Sequence, residues 1–179
     1  FCPRDPAAAG RAQDYVDALE ARGRYTLMVW PVHCEIGSWG QAVHADVRAA
    51  YNRWEERFQR PVQRLHKGAN PWTEHYSAVM AEVPDAADPG TGLNRALIDR
   101  LAPATRLFIA GQASSHCVRA TTEHLVEHLG GDLGRVVLLT DGMSPVAGFE
   151  GQAADFLAAM HQRGLQTLTC AEALRTLHD

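Results

Sequence analysis

Lysine is almost missing from this chain: of its 17 basic residues sixteen are arginine and one, Lys67, is lysine. Arginine already supplies the surface charge. A planar guanidinium cannot stand in for a compact ammonium as a point charge or proton carrier, so Lys67 is a candidate functional residue. The plainer reading of a single lysine is chance. Long hydrophobic runs are also lacking, since the longest, residues 27–32 and 136–139, fall far short of the ~20 residues that span a bilayer. No charged start leading through an apolar stretch to a small-residue cleavage site is visible. There is no basic excess, because 17 basic against 21 acidic residues give −4, which favours neither nucleic acid nor a membrane surface as a partner. Cys2, Cys34, Cys117 and Cys170 stand without CxxC spacing. In a chain that can build a good core this reads as reduced thiols in a cytoplasmic compartment, not as a disulfide framework.

What is present is a globular composition. Hydrophobic residues make up 46% of 179, with Gly 15 and Pro 9, which excludes disorder and collagen-like repeats and suits a single domain. The 9 histidines imply a large change of net charge near pH ~6. Apolar periodicity predicts helices over 11–22, 43–58, 93–101, 115–129, 151–163 and 171–177. Short continuous apolar runs predict strands over 26–30, 62–66, 106–110, 135–140 and 165–169. Strands of this character alternating with helices specify a doubly wound, Rossmann-like, three-layer α/β domain with a parallel sheet. The irregular stretch 68–92, with Pro71, Pro84 and Pro89, is expected to be a functional loop over the site. The chain opens with Phe1-Cys2-Pro3 and then a helix, where such a domain usually opens with a strand. The expectation is therefore that the first strand is missing and that this is the later part of a longer chain.

Ligands of open parallel sheets bind beyond the carboxyl ends of the strands. The residues that follow each strand include His33, Lys67, Cys117 and Asp141, which topology gathers around one crevice. Cys117 falls in the first turn of a helix, behind Gly111-Gln112-Ala113-Ser114-Ser115-His116, with Ser114 or Ser115 as the expected N-cap. There the free N–H groups and the positive helix end favour a thiolate and are placed to hold an oxyanion. The alternative is a small buried hydrophobe, as most cysteines are. His33 with its neighbour Cys34 suggests a metal ligand, against a capped structural histidine. His124 and His128 have metal-binding spacing but sit far from the strand ends, so an exposed helix face is expected. His44, His66, His161 and His178 read as surface or structural. Trp72 and Tyr76, with His75 between them, either wall an aromatic pocket or cover the loop.

Trp30-Pro31-Val32-His33-Cys34 followed by Gly37-Ser38-Trp39-Gly40 resembles the segment of nicotinamidases that carries a zinc-binding histidine. Lys67-Gly68 with Tyr76-Ser77-Ala78 resembles their catalytic-lysine segment, and residues 111–118 resemble their nucleophile turn. Thr140-Asp141-Gly142-Met143-Ser144 is similar to the strand end that follows. The resemblance runs in order from about Tyr25 to Leu174 and points to the isochorismatase-like cysteine hydrolases. It implies one hydrolase domain that converts nicotinamide or a similar small planar amide to the acid and ammonia through a cysteine thioester. It implies Cys117 as nucleophile, Lys67 as the site lysine and His33 as one ligand of a divalent metal, zinc above all. It further implies a cis peptide at Ala113–Ser114, oxyanion donors at the Ser114 and Cys117 N–H groups, a substrate pocket from Trp72, Tyr76 and His116, and a homo-oligomer.

Two parts of the family pattern have no counterpart here. The aspartate at the end of an initial strand is absent, as are the Asp and His that complete the metal site; Asp5 and Asp14 have the wrong context. Those ligands are expected in residues preceding this sequence. The rival readings are a metal-free relative acting on another small amide, carbamoyl or vinyl-ether substrate, and a non-catalytic small-molecule-binding or interaction protein.

Overall fold

The computed structural model describes residues 3–177. The chain forms two compact bodies: one holds the residues up to Tyr15 together with those from His66 onward, the other is Val16–Leu65.

The first body is built on a parallel sheet in the order β1-β2-β3, with β1 at Leu107–Gln112, β2 at Val136–Ser144 and β3 at Gln166–Leu168. Helices α3 (Arg95–Leu101), α4 (Cys117–His128), α5 (Glu150–Gln162) and α6 (Cys170–Arg175) connect and cover the strands in a three-layer α/β arrangement. Val136, Val137 and Leu138 of the central strand are fully buried, which is why their run is apolar without alternation. The α4 stripe Val118, Leu125 and Val126 and the α5 residues Phe156 and Met160 join Val136 and Leu138 in one core with Val79, Ile98 and Leu165. β1 and β2 run in register to Ile109–Leu138, after which β2 loops out and pairing resumes at Gly111–Met143. Gly142 lies in that detour. A Cβ there would stand 3.2 Å from the Ala110 Cβ, so a side chain would need Ala110 to give by a few tenths of an ångström.

The stretch 68–92 is irregular chain, as expected, and its middle enters the core. Tyr76, Ser77, Val79, Ala81 and Glu82 are buried. Their backbone is tied down by bonds from Ala81 N–H to Thr91 O (2.9 Å), Glu82 N–H to Glu74 O (2.8 Å) and Asn94 N–H to Val79 O (2.8 Å). Backbone that enters a core must find such partners, and these crossed bonds replace a regular ladder.

Helix α1 (Ala9–Ala21) begins in the first body and ends in the second, which also holds α2 (Ala45–Phe58). The strands predicted over 26–30 and 62–66 do not form; both segments carry no ladder. A strand exists only where a neighbour takes its N–H and C=O groups, and an apolar run by itself cannot supply one. The predicted stripe Val43, Val47, Trp54 and Phe58 is likewise exposed. No described helix is long and apolar enough to cross a membrane.

Candidate active site

β1 ends at Gln112 and α4 begins at Cys117, so the chain turns from strand to helix in four residues. The turn is fixed by its own backbone: His116 N–H and Val118 N–H both donate to Ala113 O at 3.0 Å. Cys117, half-buried, is the first residue of α4, a position whose N–H has no partner within the helix.

Lys67 reaches this thiol. Its Nζ lies 3.6 Å from Cys117 Sγ and donates to the His75 carbonyl oxygen at 2.9 Å. Gly68 N–H approaches His75 Nδ1 at 3.5 Å, which closes residues 67–75 into a loop pinned at its base. Two titratable neighbours feel the lysine. Burial pushes the Glu74 carboxyl above its ordinary range and Lys67 pulls it back down. Burial, with help from Lys67, holds His75 below the usual histidine range, while Asp88 opposes this. Neither group was singled out in the sequence as a neighbour of the lysine. Irregular chain between Lys67 and Tyr76 gives no periodicity from which to read their direction.

Three details of the turn differ from expectation. The cis peptide is Gln112–Ala113, one bond earlier than Ala113–Ser114. The reversal is complete by Ser114, whose N–H already donates to Ser144 O at 2.9 Å on the neighbouring strand. That same bond occupies Ser114 N–H and removes it from the expected oxyanion donors, leaving the start of α4 at Cys117. No serine caps α4; its N-cap is His116, without a side-chain cap bond. Ser115 Oγ instead accepts Val146 N–H at 3.0 Å and lies 2.9 Å from His116 Nδ1. Either partner of the Ser115–His116 contact can donate, according to the imidazole tautomer. Burial first, then Arg119, lowers the His116 pKa.

His116 is buried and packs between Tyr76, ring centroids 5.5 Å apart, and Phe149 at 4.8 Å edge-on. Tyr76 and His116 thus meet, joined by Phe149, which immediately precedes α5 and gave no signal in the sequence. Trp72 carries the Arg11 guanidinium 4.1 Å from its ring centroid. Asp141 accepts Cys170 N–H at 2.7 Å; the Cys170 side chain first, then this N–H, lowers its carboxyl pKa, and Asp141 in turn raises the Cys170 thiol. The β2 detour carries Asp141 there. His124 is buried, not on the exposed face expected of it, with its ring centroid 6.4 Å from that of His128. Cys2 and His178 lie outside the described residues.

His33 is exposed in the second body, and its Nδ1 donates to the Pro31 carbonyl at 2.6 Å. Among the described residues no group of three or more His, Cys, Asp or Glu side chains is arranged to hold a metal. A catalytic zinc takes about three protein ligands. One histidine does not fit it, and no step below runs through a metal.

Neither a protein-family profile nor a curated protein matches the chain. Solved structures do. The yeast nicotinamidase bound to the inhibitor nicotinaldehyde superposes with a TM-score of 0.61 over 81% of this chain at 17% identity. The chain has the nicotinamidase fold. The pyrazinamidase of Pyrococcus horikoshii in complex with zinc gives a TM-score of 0.51 at 19% identity, covering 94% of this chain and 88% of that one. A nicotinamidase and pyrazinamidase of Acinetobacter gives 0.54 at 13% identity, covering 90% and 86%. The chain spans 60% of the yeast nicotinamidase. In a nicotinamidase fold the β1–α4 turn with Cys117 stands at the carboxyl end of a parallel strand, where ligands of such sheets bind.

Proposed function

We propose that this chain is a cysteine amidohydrolase of the nicotinamidase type, releasing ammonia from a small planar amide such as nicotinamide. The observation that carries the reading is the Lys67 Nζ to Cys117 Sγ distance of 3.6 Å at the first residue of α4. A cation at a thiol and a helix N-terminus beneath it both favour thiolate, the nucleophilic form. The nicotinamidase fold supports the same reading.

In this mechanism the Cys117 thiolate attacks the amide carbon, forming C–S and moving the carbonyl π pair onto oxygen. The Cys117 N–H at the start of α4 faces that oxyanion. Lys67 gives a proton to the nitrogen as the C–N bond breaks, and ammonia leaves. Water then attacks the thioester, returns a proton to Lys67, and the acid departs with the thiolate restored. The His75 carbonyl, at 2.9 Å, keeps the ammonium aimed at the sulfur between these transfers. The Tyr76, His116 and Phe149 cluster is the wall offered to a flat substrate ring, and Trp72 lines its approach. We propose further that the chain works as a homo-oligomer in the cytoplasm.

The second reading is a metal-free hydrolase of the same fold acting on another small amide, carbamoyl or vinyl-ether substrate. It would use the same Cys117–Lys67 pair and differ in substrate and metal. One assay separates them: ammonia release from nicotinamide, pyrazinamide and a panel of non-aromatic amides, with and without chelator, for wild type and Cys117→Ala. Turnover of the pyridine or pyrazine amide that chelator suppresses supports the zinc-dependent nicotinamidase. Chelator-resistant turnover of another substrate supports the second reading. No turnover of any of them by a folded wild type overturns the hydrolase.

A further inference from the structure

Tyr15 belongs to the apolar stripe of α1, yet its hydroxyl is fully engaged in the backbone that carries Lys67. Glu74 N–H donates to Tyr15 Oη at 2.6 Å. Tyr15 also shares a hydrogen bond with the Thr73 side chain. The Thr73 hydroxyl donates to Val83 O at 2.6 Å, which ties down the residue before Glu74. The carbonyl of Glu74 is held separately by Glu82 N–H at 2.8 Å. With both polar ends of Glu74 fixed, the next carbonyl, that of His75, has a set direction, and it is this oxygen that takes Lys67 Nζ at 2.9 Å. The lysine then lies 3.6 Å from the sulfur. One phenol on α1 is thereby linked to the thiol at the other end of the chain of contacts.

We infer that Tyr15 is a positioning residue for the reactive pair: its hydroxyl orients the Thr73–His75 backbone, which aims Lys67 at Cys117. This rests on the reading of Cys117 and Lys67 as that pair. A hydroxyl that accepts Glu74 N–H restrains that backbone directly, which an apolar ring packed on the same spot does not do. The charged groups around the relay are Glu74 and Glu82 on the phenol side, and Lys67 and Asp88 on the His75 side. Burial first, and the Glu74 and Glu82 carboxylates after it, raise the phenol pKa, against the hydrogen bonds from Glu74 N–H and Thr73.

The test reads the thiol directly and needs no amide. Iodoacetamide alkylation of Cys117 is followed by peptide mass mapping against pH in wild type, Tyr15→Phe, Lys67→Ala and the double variant. A lost cationic neighbour should slow alkylation about tenfold near neutrality. Tyr15→Phe should do this in part, and should add nothing once Lys67 is alanine. A folded Tyr15→Phe that alkylates as wild type, or an effect that persists undiminished beside Lys67→Ala, overturns the inference. Should Tyr15→Phe not fold, Thr73→Val cuts the same relay and Thr73→Ser restores it; equal alkylation rates in those two overturn it as well. Ammonia release measured on the same preparations keeps the two readings apart. Absent turnover counts against the amidase, whereas the alkylation pattern alone decides Tyr15.

Discussion

Lys67 and Cys117, fifty residues apart, meet at 3.6 Å, and the lysine is held there by the carbonyl of His75. A single ammonium thus bridges a backbone dipole and a sulfur. The geometry calls for a tetrahedral donor on a flexible stem, which is what lysine offers and arginine does not.

Lys67→Arg is therefore expected to lose activity despite keeping its charge. The planar fork cannot place one proton on the sulfur and another on the His75 carbonyl, and a misplaced proton donor costs on the order of 10²-fold or more in turnover. The melting temperature should barely move, because the side chain is exposed. Near wild-type ammonia release from Lys67→Arg would remove the lysine from the mechanism.

Cys117→Ala should abolish ammonia release and leave the fold intact. Cys34→Ala and Cys170→Ala should leave turnover within about twofold, since both thiols are exposed and Cys170 serves the Asp141 carboxylate. Circular dichroism alongside the ammonia assay checks both halves. Retained turnover in Cys117→Ala, or its loss in both other variants, would reassign the nucleophile.

His116 has a depressed pKa in the fold, because it is buried and lies near Arg119. In the unfolded chain it returns to about 6.5. The folded state therefore binds fewer protons below that pH. Its stability contribution is complete above ~6.5 and is lost as pH falls below it. Urea unfolding from pH 8 to 5 should show that acid limb, and His116→Gln should flatten it. An unchanged slope in the variant would mean that the imidazole titrates alike in both states.

Phe156 fills the core between α5 and the sheet at 1% exposure. Phe156→Ala should cost about 3–5 kcal/mol. Ser115→Ala leaves Val146 N–H without its acceptor and should cost about 1–3 kcal/mol. Denaturant titration of both variants measures the difference, and a loss below ~1 kcal/mol for Phe156→Ala would contradict the packing described.

The alternation of apolar runs and helical stripes already specified the α/β class, and the positions of α3, α4, α5 and all three strands follow it within a few residues. That much is local: a run such as Val136–Leu139 is apolar because both faces of its strand are covered. The approach of Lys67 to Cys117 was also legible, since each follows a run of strand character and Lys67 is the one lysine of the chain. Other features were set by partners that no local pattern names. Residues 26–30 and 62–66 have the composition of strands but no ladder, because pairing is a property of two segments. Asp141 follows an apolar run as Cys117 does, but a detour in β2 delivers it to Cys170. Ser115 has the sequence of a helix cap and spends its hydroxyl on Val146 instead. Tyr15 reads as one apolar position in a helical stripe, and only the packing of α1 against the chain at 73–75 gives its hydroxyl a partner. Sequence determined which reactive residue types follow which apolar runs, because residue type and run position are local. Tertiary structure decided how each is held, because a hydrogen bond requires two groups to arrive at the same place.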